Sequence, residues 1–190
     1  MKDWTPAFRA TPARLLDAPT AWDGMESVLS SLMCDFKIPR YRCLEFGVQH
    51  AYSTVALSNF FDQVVGVDTF LGDPYAGEHY DNYHEVVAAV KPFENIYLIH
   101  SDWREWCKSE DAIWPEKQWD LIHVDIFHTY PETFECGQWA LKHSRCVLFH
   151  DTLSFPAVAR AVENLASMSG RQFYNLNEKH GLGILSEVRL

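Results

Sequence analysis

The sequence predicts one α/β domain: a doubly wound sheet of about seven strands, mostly parallel, with an antiparallel hairpin strand at the C-terminal end. Three observations predict it. From residue 42 a strand–helix rhythm sets in, with apolar runs RCLEF (42–46), VVGV (64–67), IYLIH (96–100), LIHV (121–124) and CVLF (146–149). These runs are short and apolar at nearly every position, the pattern of parallel strands covered by helices on both faces. The last two runs, in RQFYNL and HGLGILSEV, leave too little chain between them for a crossover helix, so they should pair antiparallel at one edge.

Length and composition agree with a single domain. The 190 residues are 47% hydrophobic and 14% aromatic, enough for an ordinary core and unlike a disordered chain. A net charge of −10 without a Lys/Arg cluster speaks against nucleic acid or an anionic membrane as partner. No run of about 18–20 apolar residues exists to span a bilayer. The start, MKDWTPAFRATPARLL, lacks the apolar stretch of a signal peptide. Cys34, Cys43, Cys107, Cys136 and Cys146 form no CxxC pair and read mostly as buried thiols. The expectation is a soluble cytoplasmic protein with a small-molecule substrate.

Residues 1–40 read as an arm plus a helix, and 41–190 as the α/β core. The first twenty carry Trp4, Phe8, Pro6, Pro12 and Pro19, too irregular for a regular element, so they form an ordered arm, a lid or a loose tail. Such an aromatic, proline-rich arm is compatible with packing on a partner in a homodimer. Met25, Val28, Leu29, Leu32, Met33 and Phe36 then repeat with helical spacing, with Asp23 as the expected N-cap and Pro39 beyond the end. Further on, Tyr130, Phe134, Gly137 and Leu141 keep one helical face. Val158, Val162, Leu165 and Ala166 keep another, opened by Pro156 and closed by Gly170.

In such sheets ligands bind beyond the carboxyl ends of the strands. The polar residues there are Glu45 and Gly47, Asp68, Ser101 and Asp102, Asp125, and His150 and Asp151. Asp68 follows Gly47 by 21 positions, the spacing of an acid that accepts hydrogen bonds from ribose hydroxyls. The turn EFGVQHAYS has one glycine where a pyrophosphate loop wants three, so a nucleoside without phosphates suits it better than a dinucleotide. A plain strand–helix turn is the alternative.

EFGVQHAYST followed by VVGVDTF resembles the first motif and the ribose-binding acid of class I S-adenosylmethionine-dependent methyltransferases. With DTFLGDPYAGEHY, DLIHVDIFHTYPE, VLFHDT and HGLGIL in order over residues 41–186, the chain is similar to the family-24, small-molecule or sugar O-methyltransferase-like branch. The resemblance implies a Rossmann-like sheet, S-adenosylmethionine as cofactor and O-methylation of a small hydroxylated molecule. It places Glu45 and Gly47 near the cofactor's amino-acid end, Asp68 on the ribose and Asp102 near the adenine. Ala51 stands where the family usually has a second glycine, and Ile126 where the branch often has another.

Asp125 and Asp151 end strands expected to be neighbours, so their carboxylates can converge on one hard cation such as Mg²⁺. His150 beside Asp151 admits a transition metal instead. The alternative is that Asp125 caps a helix or touches the cofactor while Asp151 satisfies backbone amides. His128, three residues after Asp125, has the ionisation range of a general base, and related enzymes carry a base at the matching DxxH position. His100 and His123, inside strands, read as structural. The stretch 70–84 is a lid or a surface loop, and Trp103 and Trp106 stack near the adenine or pack their helix. Two other functions fit the sheet: a non-catalytic nucleoside-binding domain, and an NAD(P)-dependent oxidoreductase, which the missing GxGxxG disfavours.

Overall fold

In the computed structural model the described residues are 1–73, 79–113 and 119–190, with the last four residues of the fourth helix described by backbone only. In chain order the elements are β1 (Lys2–Asp3), a 3₁₀ turn (Met25–Val28), α1 (Leu29–Asp35), β2 (Arg42–Phe46), α2 (Tyr52–Leu57), β3 (Gln63–Asp68) and α3 (Tyr83–Val90). Then come β4 (Ile96–His100), α4 (Trp103–Ile113), β5 (Leu121–Val124), α5 (Tyr130–His143), β6 (Cys146–His150), α6 (Pro156–Ser169), β7 (Gln172–Leu176) and β8 (Leu182–Ser186).

One sheet of eight strands runs in the order β1-β7-β8-β6-β5-β2-β3-β4. Every pairing is parallel except those of β8, which lies antiparallel to both β6 and β7. The eighth strand, beyond the seven expected, is β1. Two residues of the arm pair with β7, too short a stretch to leave a pattern in sequence.

Alternation along each strand sorts its side chains onto two faces. Cys43, Val64, Leu121, Leu148 and Ile184 pack with Trp4, Leu29, Leu32 and Phe36 from the arm and α1. Leu44, Phe46, Val65, Ile122 and Phe149 pack on the other face, with Trp106, Trp139, Val158 and Leu165 from α4, α5 and α6. Val48, Val55, Phe70, Val86 and Val90 form a smaller cluster that seats α3.

The helix expected over 25–36 is split into the 3₁₀ turn and α1. It opens on Gly24 in a left-handed conformation (φ 87°) rather than on Asp23, and no side chain caps it. Asp23 points elsewhere, 3.9 Å from Lys179. The arm is ordered: Trp4 and Trp22 are buried, the Trp4 indole donates to Asp35 at 3.0 Å, and Arg14 is bonded to Asn95 and the Ser58 carbonyl. All five cysteines are free thiols, four of them buried, and no helix of the described residues is long and apolar enough to cross a membrane.

Candidate functional site

From β2 the chain winds outward through β3 and β4, then returns to β5 on the other side of β2. The order therefore reverses between β2 and β5, and the loops above that point diverge and leave a crevice. A cavity of about 310 Å³ opens there, lined by residues following β2, β3, β4, β5 and β6 and by Pro19–Trp22 of the arm.

Gly47 makes the crevice possible. It turns with φ 86°, and a Cβ on it would lie 1.7 Å from the Asp125 carbonyl oxygen, so only glycine lets β2 leave the sheet against β5. Asp68 shapes the turn that follows: its carboxylate accepts from the amides of Val48 (2.6 Å), Gln49 (2.9 Å) and Phe70 (2.7 Å). Asp102 accepts from the Arg104 amide at 2.8 Å and so caps the start of α4. Both acids line the cavity, as does Trp103, whereas Trp106 packs in the core beneath α4.

Glu45, expected beside the cofactor, does not line the cavity. It is fully buried, with His123 Nδ1 at 2.9 Å from one oxygen and the Thr54 hydroxyl donating to the other. Glu45 and His123 face each other across the β2–β5 register, which brings two polar strand residues together away from solvent. His100 packs its ring on Tyr83, with centroids 4.5 Å apart. Neither histidine lines the cavity.

The other side of the cavity holds a cluster of acids and imidazoles. β5 and β6 are parallel neighbours, so Asp125 and Asp151 stand at adjacent strand ends. His128 Nε2 lies 2.8 Å from Asp151 Oδ2 and 3.8 Å from Asp125 Oδ1, while its Nδ1 lies 3.0 Å from Asp73. His150 Nδ1 sits 3.3 Å from Asp125 Oδ2 and 3.1 Å from Asp151 Oδ2. Phe155 stacks on the His128 ring at 4.1 Å and fixes its plane. Asp151 is held with φ 64°, a left-handed conformation that aspartate tolerates better than most residues.

These contacts set the charges. Burial opposes a charged imidazole, but the bonds and charges of Asp125 and Asp151 outweigh it and push His128 up to about 10. His150 rises to about 10 by the same balance, with Asp125 as its main partner. Burial would raise both carboxyls, yet the two imidazoles hold Asp125 and Asp151 below the ordinary carboxylate range. The resting cluster is thus carboxylates bonded to protonated imidazoles.

Its donor set also fits a divalent cation. Asp125, His128 and Asp151 each present a ligand atom, and these atoms lie within 4.8 Å of one another. Two oxygens and one imidazole nitrogen suit Mg²⁺ poorly as a complete shell but well as one face of a shell completed by water and substrate.

Sequence reasoning did not find Asp73, Phe155, His180 or Trp22 at this site. Asp73 belongs to the expected lid and reaches His128 across 55 positions of chain, a contact without a local signal. The centre of that lid, 74–78, lies outside the described residues. His180, from the β7–β8 turn, stands 3.8 Å from Asp151 Oδ1. The motif HGLGIL contains it, so the sequence marks its place without marking its role. Ile126 lines the cavity beside Asp125, and Ala51 begins α2 in a left-handed conformation (φ 64°) with its methyl in the core.

No family model and no curated protein matches the chain, so the family-24 branch rests on the motifs alone. Solved structures do match. An O-methyltransferase from Bacillus cereus in complex with SAH superposes with a TM-score of 0.63 at 15% identity, over 93% of this chain and 84% of that one. CalS11, a calicheamicin methyltransferase, gives 0.63 at 16% identity over 87% and 78%. TomG, an O-methyltransferase from Streptomyces achromogenes involved in tomaymycin synthesis and solved with SAM, gives 0.58 at 18% over 89% and 82%. At such identities the likeness is one of fold: a Rossmann-like sheet with an antiparallel strand near its C-terminal end.

Proposed function

We propose that the protein is an S-adenosylmethionine-dependent O-methyltransferase acting on a small hydroxylated molecule. One observation carries the reading: a single cavity at the switch point has a nucleoside-type wall, Gly47, Asp68 and Asp102, facing a cluster of Asp125, His128 and Asp151. The folds it resembles belong to methyltransferases, two of them in complex with SAM or SAH, which favours this reading over a hydride-transfer enzyme.

The residues fit the cofactor by their chemistry. Asp68 already accepts from three amides, two on Oδ2 and one on Oδ1, and keeps a lone pair on Oδ1 for a ribose hydroxyl. Asp102 stands one strand further out, where an adenine would follow a ribose. The cofactor supplies a methyl group already activated on its sulfonium, which leaves the protein two tasks: alignment of the acceptor oxygen and removal of its proton. Phe127, Phe155 and the arm exclude water around that oxygen. Asp125 and Asp151 orient the acceptor hydroxyl, and His128 stands beside them to receive its proton.

In the metal-free cluster both ring nitrogens stand against carboxylates and hold His128 charged, so it can receive the acceptor's proton only once that carboxylate charge is withdrawn. A divalent cation on Asp125 and Asp151 would polarise the acceptor oxygen and withdraw the carboxylate charge that keeps His128 protonated. Five free thiols, four of them buried, suit the reducing cytoplasm.

Calorimetric titration of the metal-depleted protein with S-adenosylmethionine, repeated with Mg²⁺, tests the proposal. Micromolar binding is expected, weakened at least about tenfold in Asp68→Asn. No binding under either condition overturns the reading.

A further inference from the structure

The charge of the cavity wall limits what the acceptor can be. Among the described residues that line it there is no Lys or Arg, whereas five acids do line it: Asp68 and Asp102 on the side read as the cofactor's, and Asp73, Asp125 and Asp151 on the acceptor's. The remaining titratable groups on the wall are the imidazoles of His50, His128, His150 and His180, with the Tyr52 and Tyr80 phenols. His128 and His150 are already bonded to Asp73, Asp125 and Asp151, so two imidazoles face three carboxylates. His180 is bonded to the Ser154 hydroxyl at 2.8 Å.

An acceptor bearing phosphate, sulfate or carboxylate would lose its hydration on entering and find no Lys or Arg among the described wall residues. The imidazolium charges are taken up by carboxylates and the cofactor's sulfonium faces the acceptor oxygen, so the anion would stay unpaired at a cost far above that of an unpaired hydroxyl. A divalent ion on Asp125 and Asp151 would neutralise carboxylates already counted and give no separate cation for such a group. The same wall carries Tyr80, Phe127 and Phe155, whose rings suit an aromatic ring, the C–H face of a sugar or an ammonium.

We infer that the acceptor is a hydroxylated ring compound that is uncharged or ammonium-bearing, and that phosphorylated, sulfated and carboxylated acceptors are excluded. The inference rests on the methyltransferase reading and sharpens it to a substrate class.

The test is transfer of labelled methyl from S-adenosylmethionine, with Mg²⁺ present, to two matched series. One is 4-methylcatechol, dopamine and 3,4-dihydroxybenzoate; the other is methyl glucoside, glucosamine and glucose 6-phosphate. In the series that is used, the neutral or ammonium member should exceed the anionic one in kcat/KM by at least about tenfold. Ala21→Arg places a cation on the wall at a residue outside the acid–imidazole cluster and should narrow that ratio at least about threefold.

Equal or better use of the anionic members, or an unchanged ratio in Ala21→Arg, overturns the inference. Cofactor binding without transfer to any member also overturns this acceptor class but leaves the cofactor reading standing. A protein that does not bind the cofactor removes both.

Discussion

His128 is held by three carboxylates from three separate stretches of chain, and its ionisation therefore reports on the folded site. Its pKa rises from 6.5 to about 10 on folding, so the stability it contributes is fully present below 6.5 and is lost as pH rises through about 10. Asp125 and Asp151 move the other way, and their share is present above the ordinary carboxylate range and lost as pH falls through it. Both describe the same ion pairs, counted once. The metal-free protein should melt highest near neutral pH and lose Tm steadily from about pH 7 to 10, and His128→Gln should flatten that alkaline slope. A slope identical in variant and parent, measured by calorimetry over that range, would show that these ion pairs do not exist in solution. The DIFH spacing made Asp125 and His128 legible together, and VLFHDT did the same for His150 and Asp151. Asp73 and Phe155 were not legible, because their contacts with His128 depend on loop paths that no periodicity encodes.

At the scale of elements, the β2–α2 turn is the piece on which the crevice depends. Gly47 faces the backbone of Asp125, which a side chain cannot push aside without moving the end of β5. Gly47→Ala adds this clash to a positive φ and should cost about 3 kcal/mol or more in denaturant unfolding. It should also displace Asp125, so that cofactor binding weakens even where the variant remains folded. A variant as stable as the parent would mean that β2 and β5 do not approach as closely as described. The five parallel strands, β2 to β6, were legible because strands buried on both faces are apolar at almost every position, a signal independent of distant contacts. β4 at the sheet edge shows the same run although three of its five residues are only partly covered and two are exposed. The start of α1 was not legible, since Asp23 has the chemistry of a cap but the backbone turns at Gly24 and carries it past the helix. The two-residue β1 is too short for any pattern to mark it.

Across the whole molecule the arm ties distant parts of the sheet to the cavity. It begins at the outer edge, where β1 pairs with β7, and Trp4 is pinned by Asp35 and packed on Phe36 at 5.8 Å. It crosses the face covered by α1 and is fastened again where Arg14 reaches the end of α2 and the loop before β4. Between the second fastening and α1 runs Pro19–Trp22, the segment that walls the cavity. The Arg14 fastening on one side and α1 on the other hold that wall still, which costs the chain entropy that buried Trp4 and Trp22 offset. Their roles should then separate on substitution. Trp4→Ala, remote from the cavity, should lower unfolding free energy by about 3 kcal/mol while a folded variant keeps the parent's cofactor affinity. Trp22→Ala should lose similar stability and also change acceptor kinetics, because the indole covers the rings of His123 and His150 at 4.8 and 5.8 Å. Denaturant unfolding and calorimetric titration on the same preparations measure both quantities. A Trp4→Ala protein of unchanged stability would show that the arm is not docked, and the cavity would then lack the wall that narrows it.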